Sequence, residues 1–311
     1  MQIVKQAKQG LRLFFRLISH TLSSFLLASL AISAPIDTLR FSVITTAESS
    51  GSLEAMVVKS GSWTTMRKLV HTAVLVQHPK GDFMFDSGIG EEYQEQMQVF
   101  SFFEKQLFKI DNVYPARQQL EDQQYDFSRL TGIIPSHMHW DHASALEDFS
   151  GIPVWIQQES LEEALTGQPP GFVLSQYDSP ELVWNKFELK ERAYEGFNKS
   201  LDIFGDASAV LVDLSGHTQG QLGLFLNMPD GKRYFFIGDT TWSKIGVTRN
   251  KPRPIFVHWL VSVDTDYEKN NQVIDTIHQL SIRQPDLVIV PAHDELVMQR
   301  LPRYPAFSTP N

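Results

Sequence analysis

Four side chains of the kinds that bind metal ions lie within six consecutive residues of this chain: His137, His139, Asp141 and His142. They follow the apolar run 132–135, which predicts a short buried strand that ends at the cluster. Imidazole and carboxylate groups gain little by packing together, and like charges among them repel. Their crowding therefore predicts that a cation lies among them.

The spacing within the cluster predicts two neighbouring metal positions. Side chains alternate along an extended segment, so His137 and His139 point the same way and can reach one ion. Where the chain then turns into a helix, Asp141 and His142 can point toward a second ion. Neutral imidazole and carboxylate are both ligands that zinc accepts, at about 2.0–2.2 Å.

Three further residues of the same kinds follow, each just after an apolar run or a glycine turn: His217 in LSGHTQG, Asp239 in FFIGDTT and His293 in VPAHD. His217 would give the first position a third nitrogen, and His293 would join Asp141 at the second. The two oxygens of Asp239 could bridge the positions. Two metals about 3.5–4 Å apart can share a water, lower its pKa and polarise a carbonyl.

Other residues have simpler interpretations. Gly-Asp is common in turns, so a turn-capping role competes for Asp239. Asp86 in FMFDSG is predicted to cap a strand end or to hold a ligand loop by a hydrogen bond. The histidines that occur singly are interpreted as surface or core residues; they include His71, His78, His258 and His278.

The chain predicts many short strands and few helices. Residues 71–79 and 82–88 flank the turn 79–81 and predict a hairpin, and 98–110 predicts a core-facing helix or a lid over a site. The other predicted strands are 39–47, 53–61, 132–135, 153–157, 201–205, 208–214, 221–228, 233–239 and 286–294, and the other helices 143–149, 158–166 and 265–282. Hairpins are too numerous for a doubly wound parallel sheet, so we expect an α/β protein with a four-layer αββα sandwich.

Composition excludes several function classes. The 311 residues carry a formal net charge of −9, which argues against a nucleic-acid partner because phosphate contacts need clustered Lys and Arg. There is no cysteine, so thiolate catalysis and Cys-ligated metals are excluded. Four basic residues and an apolar run within residues 1–33 predict a signal peptide or an N-terminal membrane anchor. Residues 34–311 would then form the functional domain, in the periplasm or secreted.

The motif His137-x-His139-x-Asp141-His142, followed in order by His217, Asp239 and His293, resembles the metallo-β-lactamase-fold superfamily over roughly residues 39–295. GHTQGQLGLF and GDT resemble that family's later motifs. The resemblance implies an αββα sandwich with a dinuclear site at one edge, between the sheets. It also implies two Zn²⁺ ions, or other divalent metals, on these seven residues, with Asp141 and Asp239 taking part in catalysis.

Within the superfamily the pattern is closest to the N-acyl homoserine lactonases, through HMHWDHASALEDF and the short tail after His293. This implies hydrolysis of an ester or lactone in a small-molecule substrate, with Asp239 as a proton acceptor. Phe100, Phe102, Phe103 and Phe108 are then candidates for an acyl-chain pocket or for plain core, and Tyr177 and Tyr194 for a tyrosine near the substrate carbonyl. The alternatives are a β-lactam, amide or thioester hydrolase, a mononuclear iron dioxygenase of the persulfide type on His137, His217 and Asp239, and a non-catalytic binding protein.

Overall fold

The computed structural model describes residues 38–261 and 263–308. The predicted signal or anchor segment, residues 1–33, lies outside these residues and stays a prediction. Across the described ranges, no helix combines the length and the apolar character that crossing a membrane requires.

Two large sheets dominate the described residues. A seven-stranded sheet has the order β6-β1-β4-β5-β7-β8-β9, a five-stranded sheet runs from β10 to β14, and β2 and β3 form a small ribbon. The strands are β1 (Arg40–Ser49), β2 (Ser52–Leu53), β3 (Met66–Arg67), β4 (Val70–Gln77), β5 (Asp82–Phe85), β6 (Ile110–Asp111), β7 (Leu130–Ile134), β8 (Pro153–Ile156), β9 (Val183–Lys186), β10 (Ser200–Asp202), β11 (Ala209–Asp213), β12 (Leu222–Asn227), β13 (Arg233–Phe236) and β14 (Val288–Val290).

Helices are short except for one. They are α1 (Glu54–Val57), α2 (Tyr93–Gln96), α3 (Phe102–Leu107), α4 (Ala116–Asp122), α5 (Trp140–Ala143), α6 (Gln158–Thr166), α7 (Lys244–Arg249), α8 (Ile255–Val261), α9 (Tyr267–Arg283) and α10 (Glu295–Met298). Single 3₁₀ turns occur at Met97–Val99, Phe127–Arg129, Glu147–Phe149 and Leu174–Gln176.

The period-two alternation of the strands creates three apolar layers. On β11, Ala209 and Leu211 point into a core shared by both sheets, whereas Val210 and Val212 point to the opposite face. That outer face is covered by α9, which contributes Ile277 and other buried residues. The outer face of the seven-stranded sheet is covered in the same way by α4 and α6. The predicted αββα sandwich is therefore confirmed.

The strand ends bring the predicted ligands to one edge. β5 and β7 run parallel, with Phe85 opposite Ile134, so the segments that follow them emerge side by side. β13 and β14 also run parallel, with Phe236 opposite Val290. Parallel neighbours end at the same edge of a sheet, so the residues after all four strands can meet.

Three predicted elements differ from the structure. Residues 53–61 are not a strand: the amides of Glu54 and Ala55 bond to the carbonyls of Thr65 and Ser62, so the chain folds back after one helical turn. Helix α5 covers 140–143 rather than 143–149, because the His142 carbonyl accepts hydrogen bonds from the backbone and hydroxyl of Ser87 and is not free to extend the helix. The helix predicted at 98–110 shortens to α3, which a Ser101–Glu104 capping box starts.

One half-buried acid, Asp148, makes the stability of this fold depend on pH. Burial, reinforced by the nearby Glu91, Glu92 and Glu147 carboxylates, raises the pKa of Asp148 to about 7. A pKa above the unfolded value means that the native state binds the proton more tightly, so this acid costs stability as pH rises from about 4 to about 7, and the cost stays constant above that. Asp148→Asn keeps an acceptor for the Glu91 amide, which lies 3.1 Å from the Asp148 carboxylate.

We therefore expect Asp148→Asn to be more stable than the natural chain by roughly 2 kcal/mol near pH 8.5 and about equal to it near pH 4. Thermal unfolding of both proteins across this range measures the difference. A difference that stays constant with pH would contradict the assignment.

Candidate metal centre

The seven residues predicted as ligands are all buried and lie together at the edge between the two sheets. Their nitrogen and oxygen atoms form overlapping groups of three, each with ligand atoms within 4.8 Å of one another. One group contains His137, His139 and His217, and another contains His137, His142 and Asp239. A third group joins Asp141 and His293 to a residue not predicted from the sequence, His71.

Three imidazoles form the first position. The ring centroids of His137, His139 and His217 are 4.6–4.7 Å apart pairwise, which is a nearly equilateral arrangement. A Cβ at residue 171 would approach His139 Nε2 to 3.1 Å, so Gly171 keeps this nitrogen uncovered.

Hydrogen bonds behind the rings set their tautomers. The hydroxyl of Ser136 donates to Asp86, so it accepts the Nδ1 proton of His137 at 3.0 Å. His217 Nδ1 faces Asp264 at 2.9 Å. Both Nε2 atoms are then unprotonated and carry a lone pair. Both are buried without a hydrogen-bond partner among the described residues. Unpaired buried acceptors are costly, and a cation between them removes that cost.

The second position repeats this pattern. His142 Nδ1 faces Asp86 at 2.9 Å and His293 Nδ1 donates to the Val70 carbonyl at 2.8 Å. The two Nε2 atoms then approach each other to 3.4 Å. Asp141 Oδ2 lies 3.3 Å from His293 Nε2. Acceptor atoms this close repel unless a cation or a proton lies between them, so this donor set fits a metal ion.

Asp239 lies between the two positions. Its carboxylate oxygens are 3.0 Å from His293 Nε2, 3.3 Å from His142 Nε2 and 3.8 Å from His217 Nε2. The Trp242 indole donates to Oδ2 at 2.7 Å. This location suits a bridging carboxylate and exceeds what a turn-capping residue needs.

The electrostatics differ between the positions. Burial lowers the pKa of His137, His139 and His217, which keeps these imidazoles neutral and able to bind a metal. Burial acts in the same direction on His142, but the Asp86, Asp141 and Asp239 carboxylates outweigh it and raise the pKa of His142 well above its ordinary value. Protons and metal ions therefore compete for the second position.

Further residues outside the predicted set lie against the ligands. His71, interpreted from the sequence as surface or core, is buried beside Asp141. Asp86 lies behind His142, as its predicted supporting role requires. Asp264 and Arg253 back His217, and no short motif marks either of them.

Asp264 is a buried acid whose surroundings keep its carboxylate ionised. Burial acts to raise its pKa, but the Arg253 guanidinium and the hydrogen bond from His217 hold the pKa of Asp264 at about 2. Arg253 also donates to the Asp239 carbonyl at 2.7 Å. The ion pair therefore joins His217 to the backbone of Asp239.

The aromatic residues predicted as pocket or substrate contacts differ in where they lie. Phe108 lines the cavity beside the cluster, and Phe100 is buried against Trp140. Phe102 and Phe103 are exposed. The candidate tyrosines lie elsewhere: the Tyr177 hydroxyl donates to the Met138 carbonyl and that of Tyr194 pairs with Asn227. Neither lines the cavity, so neither suits a role at a substrate carbonyl.

Removing Arg253 should leave the buried Asp264 carboxylate without its cationic partner. We expect Arg253→Met to lower the free energy of unfolding by about 3 kcal/mol in chelator-treated protein, measured by urea denaturation. Lys199→Met is the control, because it breaks an exposed pair with Glu191 and should cost far less. Similar small losses in both variants would contradict a stabilising role for the buried pair.

Comparison of sequences finds similarity to N-acyl homoserine lactonases. N-acyl homoserine lactonase AttM of Rhizobium radiobacter is 21% identical over 174 residues, which cover 54% of this chain and 64% of that relative, less than two thirds of its length. AttM of Azorhizobium caulinodans is 26% identical over 100 residues, 31% of this chain and 36% of its own.

Solved structures share the fold. One of Bacillus thuringiensis AiiA, a variant with N-decanoyl-L-homoserine bound at the active site, superposes with a TM-score of 0.66 at 17% identity, covering 88% of this chain and all of that one. AidC, a dizinc quorum-quenching lactonase, gives a TM-score of 0.55 at 12% identity over 88% of this chain and 91% of its own. The family model described as the metallo-beta-lactamase superfamily matches residues 66–293. With that match spanning most of the chain, the protein belongs to the metallo-beta-lactamase superfamily.

Proposed function

We propose that this protein is an exported dinuclear zinc hydrolase that opens an ester or a lactone of a small molecule. The observation that carries the proposal is the convergence of five imidazoles and two carboxylates at one buried edge, where the Nε2 atoms of His137 and His217 have no hydrogen-bond partner among the described residues. The lactonase names of the relatives and fold neighbours support the reaction type. Export rests on the basic and apolar character of residues 1–33.

The cavity beside the cluster supports a neutral, partly apolar substrate. His139, Asp141, Asp239 and His293 form its polar end. The rest is mainly apolar, including Met56, Leu107, Phe108, Trp242, Val257 and Val261. The described residues place no lysine or arginine on its wall, so an anionic substrate would find no protein cation there. An ester with a hydrocarbon chain matches both ends of the cavity.

Two divalent ions at this site would supply an acidified water and a Lewis acid for the carbonyl. The chain's own residues do the rest. The low-dielectric wall strengthens charge interactions at the polar end. Asp239 lies on the wall of the cavity, and the Trp242 indole holds its carboxylate through Oδ2. This carboxylate is thus positioned to accept the proton that the attacking water gives up.

Metal content tests the proposal first. Residues 34–311, purified without added metal, should carry about two zinc ions per chain and hydrolyse members of a panel of lactones, esters and β-lactams. His139→Ala should lose metal and reduce activity by more than about 100-fold, the upper end for residues that only support a ligand.

His278→Ala is the matched control, since that histidine bonds to the Val247 carbonyl away from the cluster and should leave both properties unchanged. A single iron per chain would favour the dioxygenase alternative. A His139→Ala protein with both metals and full activity would refute the hydrolase site.

The apolar wall predicts chain-length selectivity. Met56→Asp places a charge on this wall, whereas Met66→Asp changes an exposed methionine that does not line the cavity. Losing about two methylene contacts at about 0.8 kcal/mol each corresponds to roughly tenfold in kcat/KM. We expect that loss for long-chain esters in Met56→Asp, a smaller one for short-chain esters and none in Met66→Asp. Equal losses for both chain lengths would place the substrate chain elsewhere.

A further inference from the structure

We propose that His71 is a positioning residue that holds the Asp141 carboxylate toward the second metal position. The inference rests on the proposed dinuclear site and adds a residue to it. His71 Nδ1 lies 3.0 Å from Asp141 Oδ2, and both side chains are buried.

The direction of this hydrogen bond follows from the partners. An ionised carboxylate can only accept, so Nδ1 of His71 carries the hydrogen. Asp141 Oδ2 is also the oxygen that lies 3.3 Å from His293 Nε2 and 3.8 Å from His142 Nε2. A carboxylate oxygen has more than one lone pair, so it can accept from His71 while facing an ion at the second position.

The other ligand-type residues show why this contact has a role. Five of the six other ligand-type residues are each oriented by a hydrogen bond from behind: His137 by Ser136, His142 by Asp86, His217 by Asp264, His293 by the Val70 carbonyl and Asp239 by Trp242. For Asp141 the corresponding partner is His71. Such supporting contacts fix ligand orientation and tune metal affinity.

The fold positions His71 for this task. It lies near the start of β4, on the strand face that also carries Ala73 and Leu75 and packs against the helical layer. Its neighbour Val70 orients His293, so two successive residues of one strand serve both ligands. A bulge in β1 at Thr46 lies opposite, and the Thr46 hydroxyl donates to the His71 carbonyl at 3.0 Å. Bulges re-aim side chains next to active sites.

Cobalt titration of metal-free protein tests the inference. The natural chain is compared with His71→Leu, His71→Asn and His71→Gln by visible absorption and by competition with a chelator, which give an affinity for each of two equivalents. The Asn amide nitrogen is as many bonds from Cα as Nδ1, so His71→Asn keeps the donor in place. In His71→Gln the donor lies one bond farther out.

We expect His71→Leu and His71→Gln to lower the affinity for one of the two equivalents by about 10–100-fold, with the other unchanged and with His71→Asn restoring most of the loss. Unchanged affinities in His71→Leu would overturn the inference while leaving the dinuclear site intact. Loss in all three variants, with an altered cobalt spectrum, would make His71 a ligand itself and overturn the positioning role. A natural chain that binds fewer than two cobalt ions would overturn the proposed site as well. Because His71→Asn and His71→Gln are both polar, their comparison holds even if His71→Leu folds poorly.

Discussion

The structure at this edge depends on one electrostatic constraint: imidazole nitrogens with inward lone pairs are buried beside carboxylates, with no protein donor between them. His142 Nε2 and His293 Nε2 are 3.4 Å apart, and His137 Nε2 and His217 Nε2 have no partner among the described residues. Left alone, such groups would cost several kcal/mol in desolvation. They are compatible with a stable fold because hydrogen bonds tie the Nδ1 atoms of four histidines to the scaffold, which turns their Nε2 atoms toward a place where a cation can bind; the four are His137, His142, His217 and His293.

The two sheets meet this constraint by ending their strands together. β5 and β7 deliver Asp86 and the histidine cluster, and β13 and β14 deliver Asp239 and His293. The core between the sheets, with Phe41, Phe85 and Phe236 among its members, fixes how these edges face each other. Core packing and the geometry of the metal centre are therefore two consequences of the same strand registers, and a change in register would turn the ligands away.

Much of this could be predicted from the sequence because the relevant signals are local. Four ligand-type residues within six positions predict a metal site. The alternation of apolar and polar residues, together with tight turns, predicts hairpins and a sandwich. The supporting residues could not be found in this way. His71, Arg253 and Asp264 occur singly, and their roles come from contacts across 70, 14 and 47 residues of chain. The strand predicted at 53–61 was wrong for a related reason. The amides of Glu54 and Ala55 bond to the carbonyls of Thr65 and Ser62, and the alternation of apolar residues does not reveal this turn.

The supporting residues also explain how a site with so many charges can be rigid. A ligand held only by its own rotamer could turn away from the cluster and relieve the repulsion. Here Asp86 and Asp264 hold His142 and His217 in one tautomer each, and Trp242 and His71 hold the two carboxylates. The repulsion cannot be relieved by rotation, so it is relieved by binding a proton or a metal ion. The residues that hydrogen-bond to the ligand side chains therefore contribute to metal affinity, because they keep the ligands facing the ion.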